Sequence, residues 1–549
     1  MLTDLEGLVR SGTAGAPIAL DTETDGLNVY TGAKLRLVSL SDGTNTVVLN
    51  PQDHGRTLTA LLSKPYNWVM HNSTFDAQVV YANLGIEMHA TDTQTMAHLL
   101  DSRAKEQGGV GLKLEDLAAK YLGEAKQGDE LKGEMARGGW TWETIPLDNP
   151  VYLQYAAQDA RLTARLYGAL DAFGPSRKLM EFEAQILRAC ARMERRGILV
   201  DREYTEKLGA KMQTEQYDWE DKARELGIAN VRSPAQVRKA LGLESADEEA
   251  LRPLVLAGNP LAVAVKEAKR RAKWRAAYVA KFLSESDVDG RLHASIRPLQ
   301  ARTGRMSISS PPLQQLPSSD SMIRACLIAD EGQVIFSVDF QAVEMRVAAA
   351  LSGDAKMLTA ISSGDIHGAT AQTVYGAGYT KEQRNKAKVI GFATLYGAGV
   401  TQLAAQAQCS PEEAREIRSG FFRAYPGLRK LSNRLSSESE SRGFIITASG
   451  RRLLVEKDRG YAALNYAIQS TARDLFCQSM LQVENAGLGE HLLLPIHDEL
   501  LGQAREEDVE AVAGNVSDAM QTELNGVAIE TGLKIGRRSW GSLYEKGTS

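Results

Sequence analysis

Residues 384–399 read RNKAKVIGFATLYGAG, and the spacing of their charges and rings sets the direction of the whole reading. Arg384, Lys388, Phe392 and Tyr396 recur every four residues. At 100° per residue each step drifts by only 40°, so the four side chains form one gently turning stripe on a helix. An ordinary amphipathic helix turns apolar residues inward. This stripe instead runs from two cations to two aromatic rings, a face that suits a nucleotide lying along it, with phosphates at the cations and base or sugar at the rings.

Carboxylates flank this helix in the chain. SVDFQAVEMR (337–346) ends an apolar strand at Asp339, and LLLPIHDELL (492–501) sets Asp498 and Glu499 inside an apolar, hairpin-like stretch. A buried carboxylate without a partner costs several kcal/mol, so acids in such a setting call for a metal or a cation. A surface turn carrying His-Asp-Glu is the plain alternative.

A second acidic set lies near the start of the chain. In LDTETDGL (20–27), Asp21 and Glu23 are alternate residues at the end of an apolar strand, and period-2 geometry puts them on one side. Asp76 follows Asn72 by four residues at a helix start in HNSTFD (71–76), and Asp159 follows Tyr155 by one turn in YAAQD (155–159). Four acids at strand ends and helix faces can cage two hard cations with oxygen ligands. Two such ions about 4 Å apart can activate a water and stabilise the leaving oxygen of a phosphodiester.

The surrounding pattern organises these sets into units. The first ~170 residues alternate strands and helices: PIALDTET, LRLVSLSD and TNTVVLN with a turn at Asp42-Gly43, NWVM running into a helix, and a 3.6-period helix through YLQYAAQDARLTARLYGALDAF. Phe173-Gly-Pro-Ser176 marks a boundary. Long charged helices follow to about 290, the first ending at Gly197, and 302–321 reads as a Ser/Pro-rich loop. Strand QVIFSVDF, several helices, strand FIITAS, another helix and strand HLLLPIHDELLGQA complete the chain. With 549 residues, 43% hydrophobic and 24% charged, the chain can build sizeable cores, which excludes wholesale disorder. No stretch reaches the ~18 to 20 apolar residues of a membrane helix, and the start lacks the marks of a signal peptide. Cys190, Cys326, Cys409 and Cys477 form no CxxC pair, which argues against a disulfide scaffold or a cysteine-built zinc site and fits a reducing compartment. Net charge is −5, yet Leu251–Arg305 holds twelve Lys/Arg against four Asp/Glu, with Lys266, Lys269, Arg270 and Arg271 in its densest part, KEAKRRAKWR (266–275). A basic stripe in an acidic chain can be the footprint of a phosphate backbone or a solvated helix face, and composition does not choose.

Taken in order, LDTETDGL, HNSTFD and YAAQD resemble the three motifs of proofreading 3′→5′ exonucleases. DFQAVEMR, RNKAKVIGFATLYG and HDE resemble motifs A, B and C of family A, DNA polymerase I-like DNA polymerases. MERRGILVD, VRSPAQVRKALGL, ARTGRMSISSPPLQQLP, DIHGATA (365–371), FFRAYPGL and NYAIQSTARD extend the likeness over roughly residues 15 to 545. The resemblance implies an α/β (mixed α+β) fold: a ribonuclease H-like exonuclease domain (1–178) followed by a right-hand polymerase domain (179–549). The latter divides into thumb (179–295), palm (296–352 and 445–549) and fingers (353–444).

By the same resemblance, Asp21, Glu23, Asp76 and Asp159 are metal ligands of the exonuclease, and Tyr155 orients or helps deprotonate the attacking water. Asp339 and Asp498 hold the two Mg²⁺ of nucleotidyl transfer, Mn²⁺ being an alternative. Arg384 and Lys388 bind the incoming triphosphate, and Lys388 donates a proton to pyrophosphate. Phe392 packs on base and sugar, Tyr396 stacks beside the templating base, His367 lies near the triphosphate, and Glu344 fills the space of a ribose 2′-hydroxyl. Arg302, Arg305, Gln314, Asn465, Gln469, His497 and the 266–271 cluster contact the primer–template.

The resemblance further implies that primer–template DNA, dNTPs and a single-stranded 3′ end are the partners. The protein is expected to be a monomer with no membrane attachment, working in the cytoplasm, that of the host if it is phage-encoded. The exonuclease motifs begin within ~20 residues of the start, which leaves no room ahead of them for a 5′-nuclease domain; that compact build is typical of bacteriophage replication enzymes. The sequence names no clamp, helicase or primase. An exonuclease whose polymerase half only holds DNA, a single-subunit RNA polymerase and a non-catalytic primer–template binder are the competing readings, disfavoured respectively by intact Asp339, Asp498 and Lys388, by Glu344, and by the six acids. The sequence departs from the family pattern at Phe340-Gln341-Ala342, where Tyr-Ser-Gln is usual, at Gly391 and Ala393 where Asn and Gly are common, and at Tyr461, where a minor-groove Arg is usual.

Overall fold

The computed structural model describes residues 5–126, 129–317, 320–363 and 366–545. Residues 318–319 of the Ser/Pro-rich stretch and Asp365 of DIHGATA lie outside the described residues.

The N-terminal unit is built on a five-stranded sheet in the order Thr46–Leu49, Leu35–Ser41, Pro17–Thr24, Asn67–Met70, Thr91–Asp92. The first three strands run antiparallel and the last two parallel to their neighbour. Pro17–Thr24 lies in the middle, and its Ile18, Ala19 and Leu20 are almost fully buried. The strand's apolar start therefore anchors it, while its acidic end reaches the sheet's rim. The helix Pro150–Asp171 crosses this sheet. Asn149 starts it by accepting from the Val151 and Tyr152 amides at 3.0 and 3.1 Å, with Pro150 in the first turn where no amide is missed.

The C-terminal half is organised by a four-stranded antiparallel sheet in the order Leu492–Ile496, Glu499–Arg505, Gln333–Phe340, Thr531–Ile535. The hairpin-like stretch HLLLPIHDELLGQA is two strands joined at His497-Asp498, Ile496 pairing with Glu499. Pro495 is tolerated because its strand is at the sheet edge. The helices Ala463–Asn485 and Val509–Met520 pack beside and beneath the sheet. FIITAS is strand only over Phe444–Ile446, paired with Arg452–Leu454. The Ser/Pro-rich segment is likewise not all loop, since Ser307–Ser309 pairs with Ser295–Arg297.

Two smaller cores stand apart from the main one. Ala223, Val231, Val237, Leu251 and Val265 gather between helices within 202–274. Ile390, Leu403, Ala404 and Ile417 gather behind the helix Lys381–Leu395.

The helix Arg177–Arg196 follows the boundary at 172–176 and touches both halves. On one side Gln78 Nε2 donates to the Ala191 carbonyl at 2.9 Å, and Arg195 pairs with Glu87 at 2.9 Å. On the other, Glu183 is buried between Arg451 and Arg473, with contacts of 2.6 Å to each, and Asp474 completes the group. Burial pushes the Glu183 carboxyl up, but the two guanidiniums win and hold it below its ordinary value. Among the described residues, no helix is long and apolar enough to cross a membrane.

Candidate functional site

The structure assembles two acidic centres, one on each sheet. In the N-terminal centre Asp21 and Glu23 leave the same side of Pro17–Thr24, where the register shifts between Glu23 and Thr24. Asp159 comes from the crossing helix, and carboxylate oxygens of the three lie within 4.8 Å of one another. Asp76 is buried beside them on the helix Ser73–Leu84, oriented by Thr22, whose amide and hydroxyl donate to its Oδ1 at 2.9 and 2.6 Å. It is not one of the three mutually close residues.

That helix begins at Asn72, which takes the left-handed conformation at φ 62°, and Asp92 holds the entry by accepting from the Asn72 amide at 3.0 Å. Asn72 therefore shapes the chain here, while Thr22 and Asp92, which the motifs did not single out, fix where Asp76 points.

Electrostatics mark this centre as built for cations. Burial, reinforced by repulsion from Asp159, pushes Glu23 up to about 8 even though Lys126 opposes it. Burial pushes Asp76 up to about 7 against the two Thr22 hydrogen bonds. Asp21 is raised well above the usual carboxylate range by burial and then by Asp76, Asp159 and Glu23, and Asp159 is raised chiefly by burial. Asp159 Oδ1 is buried with no hydrogen-bond partner. Clustered carboxylates held against their own repulsion, with an orphaned oxygen among them, fit hard divalent cations with oxygen ligands. Tyr155 stands one turn before Asp159, next to the half-exposed Trp142 at a ring separation of 6.4 Å. Lys126, which no spacing rule flags, bonds both Tyr155 and Asp159.

In the C-terminal centre Asp339 sits near the end of Gln333–Phe340, directly opposite Glu499. Asp498 lies in the two-residue turn, and its carbonyl accepts from the Phe340 amide at 3.1 Å, which ties the turn to the Asp339 strand. His497 takes φ 60° there, a conformation a side chain rarely adopts outside a functional turn. Burial and then the nearby Asp339 raise Asp498, and burial raises Glu499 despite a hydrogen bond with Ser337. Gly532 faces Asp339 from the other side: a methyl there would lie 2.6 Å from Asp339 Oδ1.

A cavity of about 420 Å³ opens at Asp498, lined also by Arg305, Gln314, Glu344, Phe392, Tyr396, Gln469 and His497. Phe392 and Tyr396 reach it from Lys381–Leu395 and its C-terminal cap, a helix started by Thr380 and Gln383 capping each other. Lys388 is exposed on the same stripe. His367 lies beside Phe392, with ring centroids 5.2 Å apart. Glu344 is nearly buried and ion-paired with Arg305, and burial followed by Glu344 pushes the Tyr396 hydroxyl up to about 12. Gln314 accepts from the Ile308 amide at 3.2 Å and Gln469 from the Thr303 hydroxyl at 3.3 Å, while Asn465 donates to the Tyr396 carbonyl at 3.2 Å. A second cavity of about 780 Å³ lies beyond Tyr396, with Asn465, Arg459 and the exposed Tyr461 on its wall.

Several expected contacts are placed otherwise. Arg302 is buried, paired with Glu456 and bonded to the Tyr466 hydroxyl at 2.8 Å, so its guanidinium is engaged inside the protein. In the basic helix, Arg271 is ion-paired with Glu215 and Glu267. Arg270 is ion-paired with Glu267 and lies over Trp274. Lys269 donates to the Ala246 carbonyl at 3.0 Å. Part of the local +8 is therefore met inside the fold, because Glu215 and Glu456 lie outside the segment and a count along it overlooks them. Lys266 is half-buried.

The departures have structural settings. Phe340 is buried edge-on to Phe476 at 6.3 Å, where a hydroxyl would need a partner. Gln341 turns away to donate to the Thr531 carbonyl at 3.2 Å. Ala342 begins the next helix at φ 50°. At Gly391 a methyl would stand 3.3 Å from the Phe421 ring, so its absence lets the stripe helix close on Pro411–Ala424.

Comparison with known proteins agrees with this division. The model of DNA polymerase family A matches residues 202–542, and that of the 3′–5′ exonuclease matches residues 2–172. A DNA polymerase of Mycobacterium phage D29 is 38% identical over 96% of this chain and 93% of its own length; one from Mycobacterium phage L5 is 37% identical over the same shares. Among solved structures, the POL domain of Pol1 from M. smegmatis, in complex with DNA primer-template and dNTP, superposes with a TM-score of 0.82 over 99% of both chains at 22% identity, a likeness of fold. The matched polymerase and exonuclease domains are of kinds that use divalent metal ions.

Proposed function

Because the chain belongs to the family A DNA polymerases and carries a 3′→5′ exonuclease domain, we propose that it extends a primer 3′ end with dNTPs on a DNA template and trims that end at a separate site. The observation that carries this reading is the pairing of each acidic centre with a different apparatus. The cavity at Asp498 has Arg305, Phe392 and Tyr396 on its wall, the two rings coming from the stripe that also carries Arg384 and Lys388, whereas the cage of Asp21, Glu23 and Asp159 has a tyrosine and a lysine. On this reading, residues 1–178 are the exonuclease, 179–295 the thumb, 296–352 and 445–549 the palm, and 353–444 the fingers.

Asp339 and Asp498 would hold the polymerase cations, and Asp21, Glu23, Asp76 and Asp159 those of the exonuclease, two Mg²⁺ at each site with Mn²⁺ the alternative. When bound, such ions lower the pKa of the attacking hydroxyl or water and neutralise the departing oxygens. Arg384 and Lys388 bind the triphosphate from their turn-by-turn stripe, His367 contacts it beside Phe392, and Lys388 returns a proton to pyrophosphate. Phe392 packs on the base and sugar, and Tyr396 stacks next to the templating base. Glu344 closes off the ribose 2′ position and so favours deoxyribonucleotides. Arg305, Gln314, Asn465, Gln469, His497 and Lys266 contact the primer–template, which makes binding salt-dependent. Tyr155 orients the water that attacks the terminal phosphodiester of a single-stranded 3′ end. The phage relatives support a role in replicating a phage genome in the host cytoplasm.

An end-labelled primer–template with Mg²⁺ tests this directly. Extension with dNTPs, little with NTPs, and shortening without nucleotide are expected, with Asp339→Ala abolishing only the first and Asp21→Ala only the last. Shortening without any extension would establish instead an exonuclease whose second half merely holds DNA.

A further inference from the structure

The exonuclease cage contains a cation of its own on a residue that its motifs leave unmarked. Lys126 lies in the segment after the helix Leu114–Leu122. Its Nζ donates to Asp159 Oδ2 at 2.5 Å and to the Tyr155 hydroxyl at 3.2 Å, and it stands 4.7 Å from the centre of the Tyr155 ring. The lysine side chain is only 16% exposed and that of Asp159 9%, so this is not one of the solvated surface pairs that contribute little. Asp159 and Tyr155 are one helical turn apart, and a single ammonium ties both to one point. The other Asp159 oxygen, Oδ1, is buried without a partner, and Asp159 is one of the three residues whose carboxylates converge. One oxygen is held by the lysine while its twin is left for the cage.

We propose that Lys126 is a positioning residue of the exonuclease, a built-in counter-cation that holds Asp159 and Tyr155 in their working places before any divalent ion binds. The proposal rests on the exonuclease reading above. Its physical basis is the crowding of Asp21, Glu23 and Asp159, which repel one another as they ionise unless a positive charge stands beside them. Lys126 supplies that charge from the side of the cage where Tyr155 stands, and the same bond keeps the phenol from rotating away.

The test compares Lys126→Met, which keeps the length of the stem and removes the charge, with Lys126→Arg, which keeps the charge. On a single-stranded 3′ end, Lys126→Met should lower exonuclease kcat by about 30-fold and leave KM within about twofold, since the groups it holds act on the reacting bond. Lys126→Arg should recover most of the loss, and primer extension by the same variants is the folding control. A second readout does not depend on turnover. In an Asp339→Asn/Asp498→Asn background, which confines metal binding to the cage, Mn²⁺ should raise the melting temperature of Lys126→Met by more than it raises that of the protein with Lys126 intact. The empty cage of the variant has lost its counter-charge and gains more from the ion. Unchanged kcat in Lys126→Met, no recovery in Lys126→Arg, or a Mn²⁺ response no larger than with Lys126 present would each overturn the proposal. Failure of the exonuclease reading itself looks different: the protein with Lys126 intact would not shorten DNA, or Asp21→Ala would shorten it at an undiminished rate.

Discussion

Replacing Gly532 by alanine should slow primer extension without disturbing the fold. Gly532 is the register partner of Asp339 on the neighbouring strand, and an added methyl would sit 2.6 Å from Asp339 Oδ1 and 3.4 Å from Gln341 Nε2. Its backbone is not in the left-handed region, so alanine meets no conformational penalty there, and a strand position favours alanine slightly over glycine. Ordinary contact begins near 3.4 Å, so the carboxylate must retreat by about 0.8 Å, the difference between 3.4 and 2.6 Å. A displacement near 1 Å at a reacting centre costs on the order of 100-fold in rate, or about 2.7 kcal/mol of barrier. Single-turnover extension of a primer by one dNTP measures this, and shortening without nucleotide is the internal control. The expected result is a fall in the extension rate of roughly 30- to 100-fold, with exonuclease rate and melting temperature unchanged. An extension rate within about threefold of the unmutated protein would refute the reasoning, because Asp339 would then tolerate a displacement that a metal ligand in nucleotidyl transfer should not.

Three further outcomes follow from the same geometry. Glu23 and Asp76 are raised from their ordinary 4.5 and 3.8 to about 8 and about 7, so their stabilisation of the fold is full below about pH 4 and is lost as pH rises from there to about 8; in chelator the melting temperature should fall between pH 5 and pH 8, and Mg²⁺ should remove most of that fall, whereas a metal-free protein equally stable at both would contradict the burial of this cage. Glu344→Ala should increase ribonucleotide incorporation relative to deoxyribonucleotide by on the order of tenfold or more in single-nucleotide kinetics, and an unchanged ratio would remove the gate from this residue. Glu183→Ala leaves Arg451 and Arg473 buried with only Asp474 between them, at a cost of about 3–5 kcal/mol, seen as a lowered urea midpoint; no change would mean that water replaces the lost carboxylate.

Much of the chemistry was legible because it is written in local periods. A strand places alternate residues on one side and a helix places every fourth residue on one face whatever the rest of the molecule does. Asp21 with Glu23, Tyr155 with Asp159, and the Arg384–Tyr396 stripe were therefore readable one segment at a time, and the order of the motifs carried the family. The stretch LLLPIHDELL was legible as hairpin-like, but it is apolar on both sides and only strand pairing fixes His497-Asp498 as the two residues that turn.

What the tertiary structure alone decided is which charges meet. A count of basic residues between 251 and 305 could not show that Glu215 and Glu267 engage Arg271, or that Arg302 is buried against Glu456 across more than a hundred residues. Nor could it show that Lys126 lies on Asp159, that Thr22 aims Asp76, or that Gly532 leaves room for Asp339. The amino-acid sequence by itself determined the periodic faces and their chemistry, since backbone geometry sets these within a few residues. The approach of distant segments determined whether a charge is free to meet a ligand or is already neutralised, since Coulomb attraction and burial act through space and take no account of distance along the chain.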